Sequence, residues 1–150
     1  MTEKEEFVRQ FREVQPKFSR FYARLLARAN LSFPQYALMN QLLNRGEVSM
    51  TEISAKLQIS KPAVTSLVDR LEKNKLLKRI SHPKDRRISL LQIQPKGEKI
   101  VREAQADVLH FLLKTFEALS AGERRTITRF YRLLSQTLDR PPALGKRRYR

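Results

Sequence analysis

The chain has 150 residues, no cysteine and a formal net charge of +16, a length that suits one compact domain or one small lobe with an oligomerisation element. The missing cysteine excludes disulfides, thiolate nucleophiles, zinc-thiolate sites and thiol redox sensing; no run approaches the roughly eighteen apolar residues of a membrane span, and the acidic opening MTEKEEFVRQF has no apolar signal core, so the cytoplasm is the expected location. Residues 61–100 carry 11 Lys/Arg against 4 Asp/Glu, whereas 34–60 carry 2 against 2, and such local concentration points to a polyanion such as nucleic acid ahead of an anionic membrane or no partner at all.

Residues 3–29 read as one long helix, with Phe7, Phe11, Val14, Phe18, Phe21, Tyr22 and Leu25 at steps of three and four. A kink is expected at Pro16. Such a helix would span roughly 40 Å, more than a small lobe can cover, so part of its stripe is expected to face another chain. Asn30 to Phe33 break it. Ser32 and Pro34 then start a second helix over 34–44, and Gly46 suits a left-handed stop. A short helix over about 51–57 follows, with Ser49 and Glu52 at capping-box spacing and Ile53 and Leu57 facing the core.

Ser60 caps the next helix and Pro62 sits harmlessly in its first turn. Val64, Leu67, Val68 and Leu71 form its apolar stripe. Pro62, Ser66, Asp69 and Lys73 point the other way, flanked by Thr65 and Arg70. After it the period changes to two. Leu77 to Ser81 and Ile88 to Ile93 alternate as the strands of a hairpin, and His82-Pro83-Lys84-Asp85 supplies turn chemistry at its tip. Pro95 opens a long helix to about 118. Ser120 and Glu123 repeat the capping-box spacing before a last helix carrying Ile127, Phe130, Tyr131, Leu134 and Leu138, which Pro141-Pro142 stops. The tail ALGKRRYR reads as disordered, its cations (Lys146, Arg147, Arg148, Arg150) either adding nonspecific DNA affinity or only aiding solubility.

A short helix, a capped helix and a hairpin in that order make a winged helix-turn-helix, with Gln58-Ile59-Ser60 as the turn. The capped helix suits a major groove, with an apolar back and small polar groups in front. Thr65 and Ser66 are short and allow close approach, Lys61 and Arg70 can reach phosphate or guanine, and Ser60 and Pro62 join them as candidate DNA-binding residues. Long cations on a tight hairpin tip suit a narrow groove of high negative potential. An ordinary amphipathic helix with a solvated outer face is the alternative, and the hairpin argues against it.

"SMTEISAKLQISKPAVTSLVDRLEKNKLLKR" is similar to the helix-turn-helix block of the MarR family of bacterial transcription regulators, and "DRRISLLQIQPKGE" resembles its wing signature, Asp-x-Arg followed by a strand and a turn ending in Gly. Asp85, Arg87 and Gly97 match those positions. The resemblance covers residues 35–100, and the flanking helices fit the family's dimerisation region. It implies that Arg87 enters the minor groove and that Asp85 helps to orient it; Lys84 and Arg86 are added from position and charge. Two departures stand out. The family's glycine after the recognition helix is replaced by Asn74-Lys75-Leu76, where Asn74 is expected to take the left-handed position. Its usual threonine before the following helix is Gln94, a weaker cap.

The expected fold is mainly α with a small β-hairpin wing: a single domain over 1–150, with a winged helix-turn-helix lobe at 34–94, long dimerisation helices at 1–33 and 95–140, and the tail at 141–150. The expected function is sequence-specific binding of double-stranded DNA as a homodimer, most simply as a repressor, on half-sites roughly 10 bp apart. Contact with roughly 6–10 phosphates would make binding steeply salt-dependent. Many family members bind small aromatic or phenolic effectors, and Phe18, Tyr22, Phe33, Tyr36 and Phe111 are the candidate lining, with ordinary core packing as their plainer role. The alternative function is architectural, nonspecific nucleic-acid binding without an effector. Catalysis has no support: His82 and His110 are the two histidines, no metal-ligand spacing or phosphate loop is present, and no cofactor is expected.

Overall fold

A computed structural model describes residues 1–139 of the chain. In order these are α1 (Glu3–Ala27), α2 (Phe33–Arg45), β1 (Val48–Ser49), α3 (Met50–Leu57), α4 (Lys61–Lys73), β2 (Leu77–Ser81), β3 (Ser89–Ile93), α5 (Pro95–Glu117) and α6 (Ala121–Leu138). Two compact units are distinguished, Met1–Ala106 and the segment from Asp107 onward, with α5 running from the first into the second. The basic tail and Pro141-Pro142 lie outside the described residues. None of the described helices is long and apolar enough to cross a membrane.

Local chemistry sets the helix boundaries in the first unit. Thr2, Ser32 and Ser49 each accept the backbone N–H three residues on, and Glu5, Gln35 and Glu52 each return a side-chain acceptor to the capping residue's own N–H. These pairs satisfy donors that a helix start leaves open. α1 runs through Pro16 without ending. Its close is left-handed: Asn30 has φ 53° and the Leu31 N–H donates to the Leu26 carbonyl. Gly46 ends α2 with φ 81° and ψ −137°, outside the left-handed helical region that the sequence points to but equally open to glycine.

The core gathers Leu38, Met39 and Leu42 of α2, Ile53 of α3, Val64, Val68 and Leu71 of α4, and Leu77 and Leu91 of the hairpin, all at or below 1% exposure. Those on helices are the inward residues of the apolar stripes, which a 3.6-residue period is enough to place. The two expected strands pair antiparallel, from Leu77 with Ile93 to Ser81 with Ser89. A third, β1, adds Val48 opposite Leu91 and Ser49 opposite Leu90, giving the order β1-β3-β2. At two residues β1 is too short to show a period, which is why the sequence pattern misses it. β3 is the central strand, and both Leu90 and Leu91 on it are buried.

In the second unit Ser120 caps α6 and completes a capping box with Glu123. Arg124 donates to the carbonyls of Phe116 and Glu117 at 3.2 and 2.6 Å, and its guanidinium lies 5.7 Å from the Phe116 ring centre. A cation thus finishes the C-terminal end of α5, where carbonyls are open and the helix dipole favours positive charge.

Candidate nucleic-acid interface

The turn between α3 and α4 is tight because its backbone bonds are met locally. Gln58 adopts φ 53° and ψ 41°. The Ser54 hydroxyl donates to the Ile59 carbonyl at 2.6 Å, and the Ile59 N–H donates to the Ser54 carbonyl. Ser60 follows as the N-cap of α4, its hydroxyl accepting from the Ala63 N–H at 3.3 Å. Lys61, Pro62, Thr65, Ser66 and Arg70 are all exposed, while Val64, Val68 and Leu71 are buried behind them. The Thr65 hydroxyl donates to the Lys61 carbonyl at 3.0 Å. Its proton is spent on the helix, so outward it offers a methyl group and acceptor lone pairs.

The wing tip is built by its own side chains. His82 Nδ1 accepts from the Lys84 and Asp85 N–H groups, both at 3.2 Å. Asp85 Oδ1 accepts from the Arg87 N–H at 3.0 Å. The Asp85 contact is therefore to the backbone of Arg87, and it positions the arginine by fixing where its side chain starts. The sequence places His82 in the turn, and the structure adds that its ring accepts two backbone N–H groups there. Lys84, Asp85, Arg86 and Arg87 all stand exposed. Among the described residues none of Lys61, Arg70, Lys84, Arg86 or Arg87 forms an ion pair with a carboxylate. Five cations on two adjoining elements are thus available to phosphates.

Arg79 is different. From β2 it donates through Nη2 to Asp69 at 2.5 Å and through Nη1 to Glu72, both on α4. Its backbone N–H also donates to Glu72 Oε1 at 3.1 Å. Burial works against its charge, but the two carboxylates outweigh that and hold its pKa above the ordinary value. The sequence reading placed Asp69 on the outer face of α4 without assigning it a partner.

One expectation is corrected between α4 and the wing. Asn74 is not left-handed; it sits at φ −86° and ψ 4°, and Lys75 takes φ 58° instead. The Lys75 N–H donates to the Glu72 carbonyl and the Leu76 N–H to the Leu71 carbonyl, both at 2.9 Å. This is the paired-bond helix stop, and its geometry puts the left-handed residue one step beyond the cap. Asn74 instead turns its side-chain amide back to the Arg70 carbonyl at 2.9 Å.

Of the aromatic candidates, Tyr22, Phe33 and Tyr36 pack on one another with ring centres 5.9–6.2 Å apart. Phe18 is half-buried on α1, and Phe111 is exposed on α5 in the second unit. A cavity of about 630 Å³ in the first unit is lined by Ala27, Asn30, Leu31, Ser32, Gln35, Arg70, Lys73 and Asn74, none of them among the five aromatic candidates.

The sequence model of the MarR family matches residues 29–88, the segment that holds α2 to the wing tip. The HTH-type transcriptional regulator YfiV of Bacillus subtilis is 30% identical over 110 residues, which is 73% of this chain and 69% of YfiV. The chain belongs to the MarR family. Another HTH-type transcriptional regulator of Bacillus subtilis, YsmB, is 31% identical over 90 residues; that match spans 60% of this chain and 62% of YsmB. A MarR family protein from Bacillus stearothermophilus superposes with a TM-score of 0.80 at 25% identity, covering 93% of this chain and 99% of that one. An S. aureus MepR mutant bound to an oligodeoxyribonucleotide shares the fold with a TM-score of 0.68 at 19% identity, over 88% of this chain and 97% of its own. The MarR fold accordingly identifies α3 and α4 as the helix-turn-helix and β2–β3 as the wing.

Proposed function

We propose that this MarR-family chain is a transcription regulator that binds double-stranded DNA in a sequence-specific manner, as a homodimer on a pseudo-palindromic operator. The observation that carries this reading is the juxtaposition of a capped helix with a short-chain polar front and a hairpin tip whose cations are engaged with no carboxylate. Thr65 and Ser66 let the helix backbone approach base edges. Lys61 and Arg70 meet phosphate or guanine, and Arg87 enters the adjoining minor groove with Lys84 and Arg86 beside it. Asp85 holds the Arg87 backbone. That a protein of the same fold has been seen with an oligodeoxyribonucleotide supports the same use here.

Dimer formation is supported by apolar side chains that stand exposed on α1 and α6. Phe7, Phe11 and Val14 on α1 are 42–57% exposed, and Ile127, Phe130, Tyr131, Leu134 and Leu138 on α6 are 38–73% exposed. Stripes of that extent mark an interaction surface. A dimer lying across a promoter excludes polymerase, so repression is the simplest outcome. An effector, where one acts, is proposed to be aromatic or phenolic and to stack against Tyr22, Phe33 and Tyr36.

Selection of duplexes from a random pool tests the DNA reading. A palindromic consensus is expected, and Arg87→Ala should weaken its binding roughly ten-fold while leaving affinity for random duplex less changed. Recovery of no enriched sequence would instead leave the chain a nonspecific, architectural binder.

A further inference from the structure

Asp69 and Glu72 lie three residues apart, on one face of α4. Asp69 stands about one turn beyond Thr65 and Ser66, and Glu72 about two. Arg79 approaches them from β2, three residues before the turn acceptor His82 at the wing tip. Its side chain is 30% exposed, against 61% for Asp69 and 38% for Glu72. The guanidinium reaches both carboxylates, and Glu72 takes the Arg79 backbone N–H as well. On the sheet side, Arg79 pairs with Leu91, which is fully buried. Arg79 is therefore held from two directions, by the core strand and by the recognition helix.

The pairing of β2 with β3 and of β3 with β1 sets the sheet, but it does not by itself fix the angle of that sheet to α4. The main-chain connection is also short and turns through a left-handed lysine. We infer that Arg79 is a positioning residue for DNA recognition, clamping the base of the wing to α4 so that the major-groove and minor-groove contacts are made by one rigid reader. The assignment rests on the DNA-binding reading above. It makes Arg79 unlike the other cations of this surface, since it acts through Asp69 and Glu72 and touches no phosphate. A planar guanidinium is suited to the task, because its fork engages two acceptors at once, which a lysine ammonium does with less geometric constraint.

The test compares the full chain with Arg79→Met and with the triple variant Asp69→Asn/Glu72→Gln/Arg79→Met, which removes the clamp without leaving unpaired carboxylates. In the absence of DNA, amide exchange across 77–93 is expected to quicken about ten-fold in both variants, while the inner turns of α4 stay protected. On the selected duplex, both variants should keep major-groove protection and lose the minor-groove protection given by the wing, with affinity down about ten-fold. Unchanged hairpin exchange in Arg79→Met overturns the clamp. So does a triple variant that regains the wing footprint, because charge neutralisation would then suffice. A wild-type chain without any footprint sinks the DNA reading, and the exchange measurement still decides whether Arg79 fixes the wing.

Discussion

Among the described residues three left-handed non-glycine residues close helices, Asn30 after α1, Gln58 after α3 and Lys75 after α4, and they differ in how well they suit that conformation. Asn30 at the end of α1 is a residue that tolerates the conformation; Lys75 at the end of α4 is not. The Lys75 backbone is held there by the bonds from Lys75 and Leu76 to α4, so the strain is offset by the helix stop it completes. Lys75→Gly should raise stability by about 0.5–1 kcal/mol, read as a higher melting temperature with DNA affinity changed little. Gly97 is under the opposite constraint. A Cβ there would stand 2.2 Å from the Leu76 carbonyl oxygen, which already accepts the Gln94 N–H at 2.9 Å. Backbone cannot yield as a side-chain tip would, so Gly97→Ala should cost about 1–3 kcal/mol in thermal unfolding. The sequence motif marks Gly97 as a matching position; the contact with Leu76 supplies the physical reason.

At the scale of elements, the capping boxes were legible wherever a serine preceded a glutamate by three residues. The carboxyl of Glu52 is held below its usual range chiefly by the Ser49 backbone N–H, and that of Glu123 chiefly by the Ser120 hydroxyl and then its N–H. A carboxylate with a lowered folded-state pKa contributes stability that is full above its unfolded value, about 4.3, and is lost as the pH falls through the folded value. Glu52→Gln preserves a capping acceptor but removes the titrating group. Its melting temperature should lie slightly below the parent's near neutrality and fall less steeply with acid, so that the difference closes below about pH 4. The hairpin strands were legible from their alternation, whereas β1 was not. Arg79 was also hidden: its place in an alternating strand says which residues share its side of the sheet, but not that Asp69 and Glu72 lie within reach. Cross-element ion pairs are set by tertiary geometry, and a period along one strand carries no record of them. For the same reason the five aromatic candidates could be chosen by type alone, and the packing of Tyr22, Phe33 and Tyr36 on one another could not be read from it.

For the whole molecule, the charge distribution and the exposed apolar rows of α1 and of α6 both bear on the proposed dimer. Residues 61–100, with their 11 cations, hold α4 and the wing tip, while α1 and α6 expose apolar rows suited to a second copy. A dimer of this kind presents two readers whose separation is fixed by the protein, so the DNA must supply two half-sites on the same face of the duplex. An architectural binder driven by phosphate contacts has no such requirement. The most direct measurement is the affinity of the full chain for its selected duplex before and after about 5 bp, half a helical turn, is inserted between the half-sites. Two readers in fixed phase predict a loss of roughly a hundred-fold, as one half-site swings to the far side of the helix. Unchanged affinity after the insertion would contradict a symmetric, sequence-reading dimer.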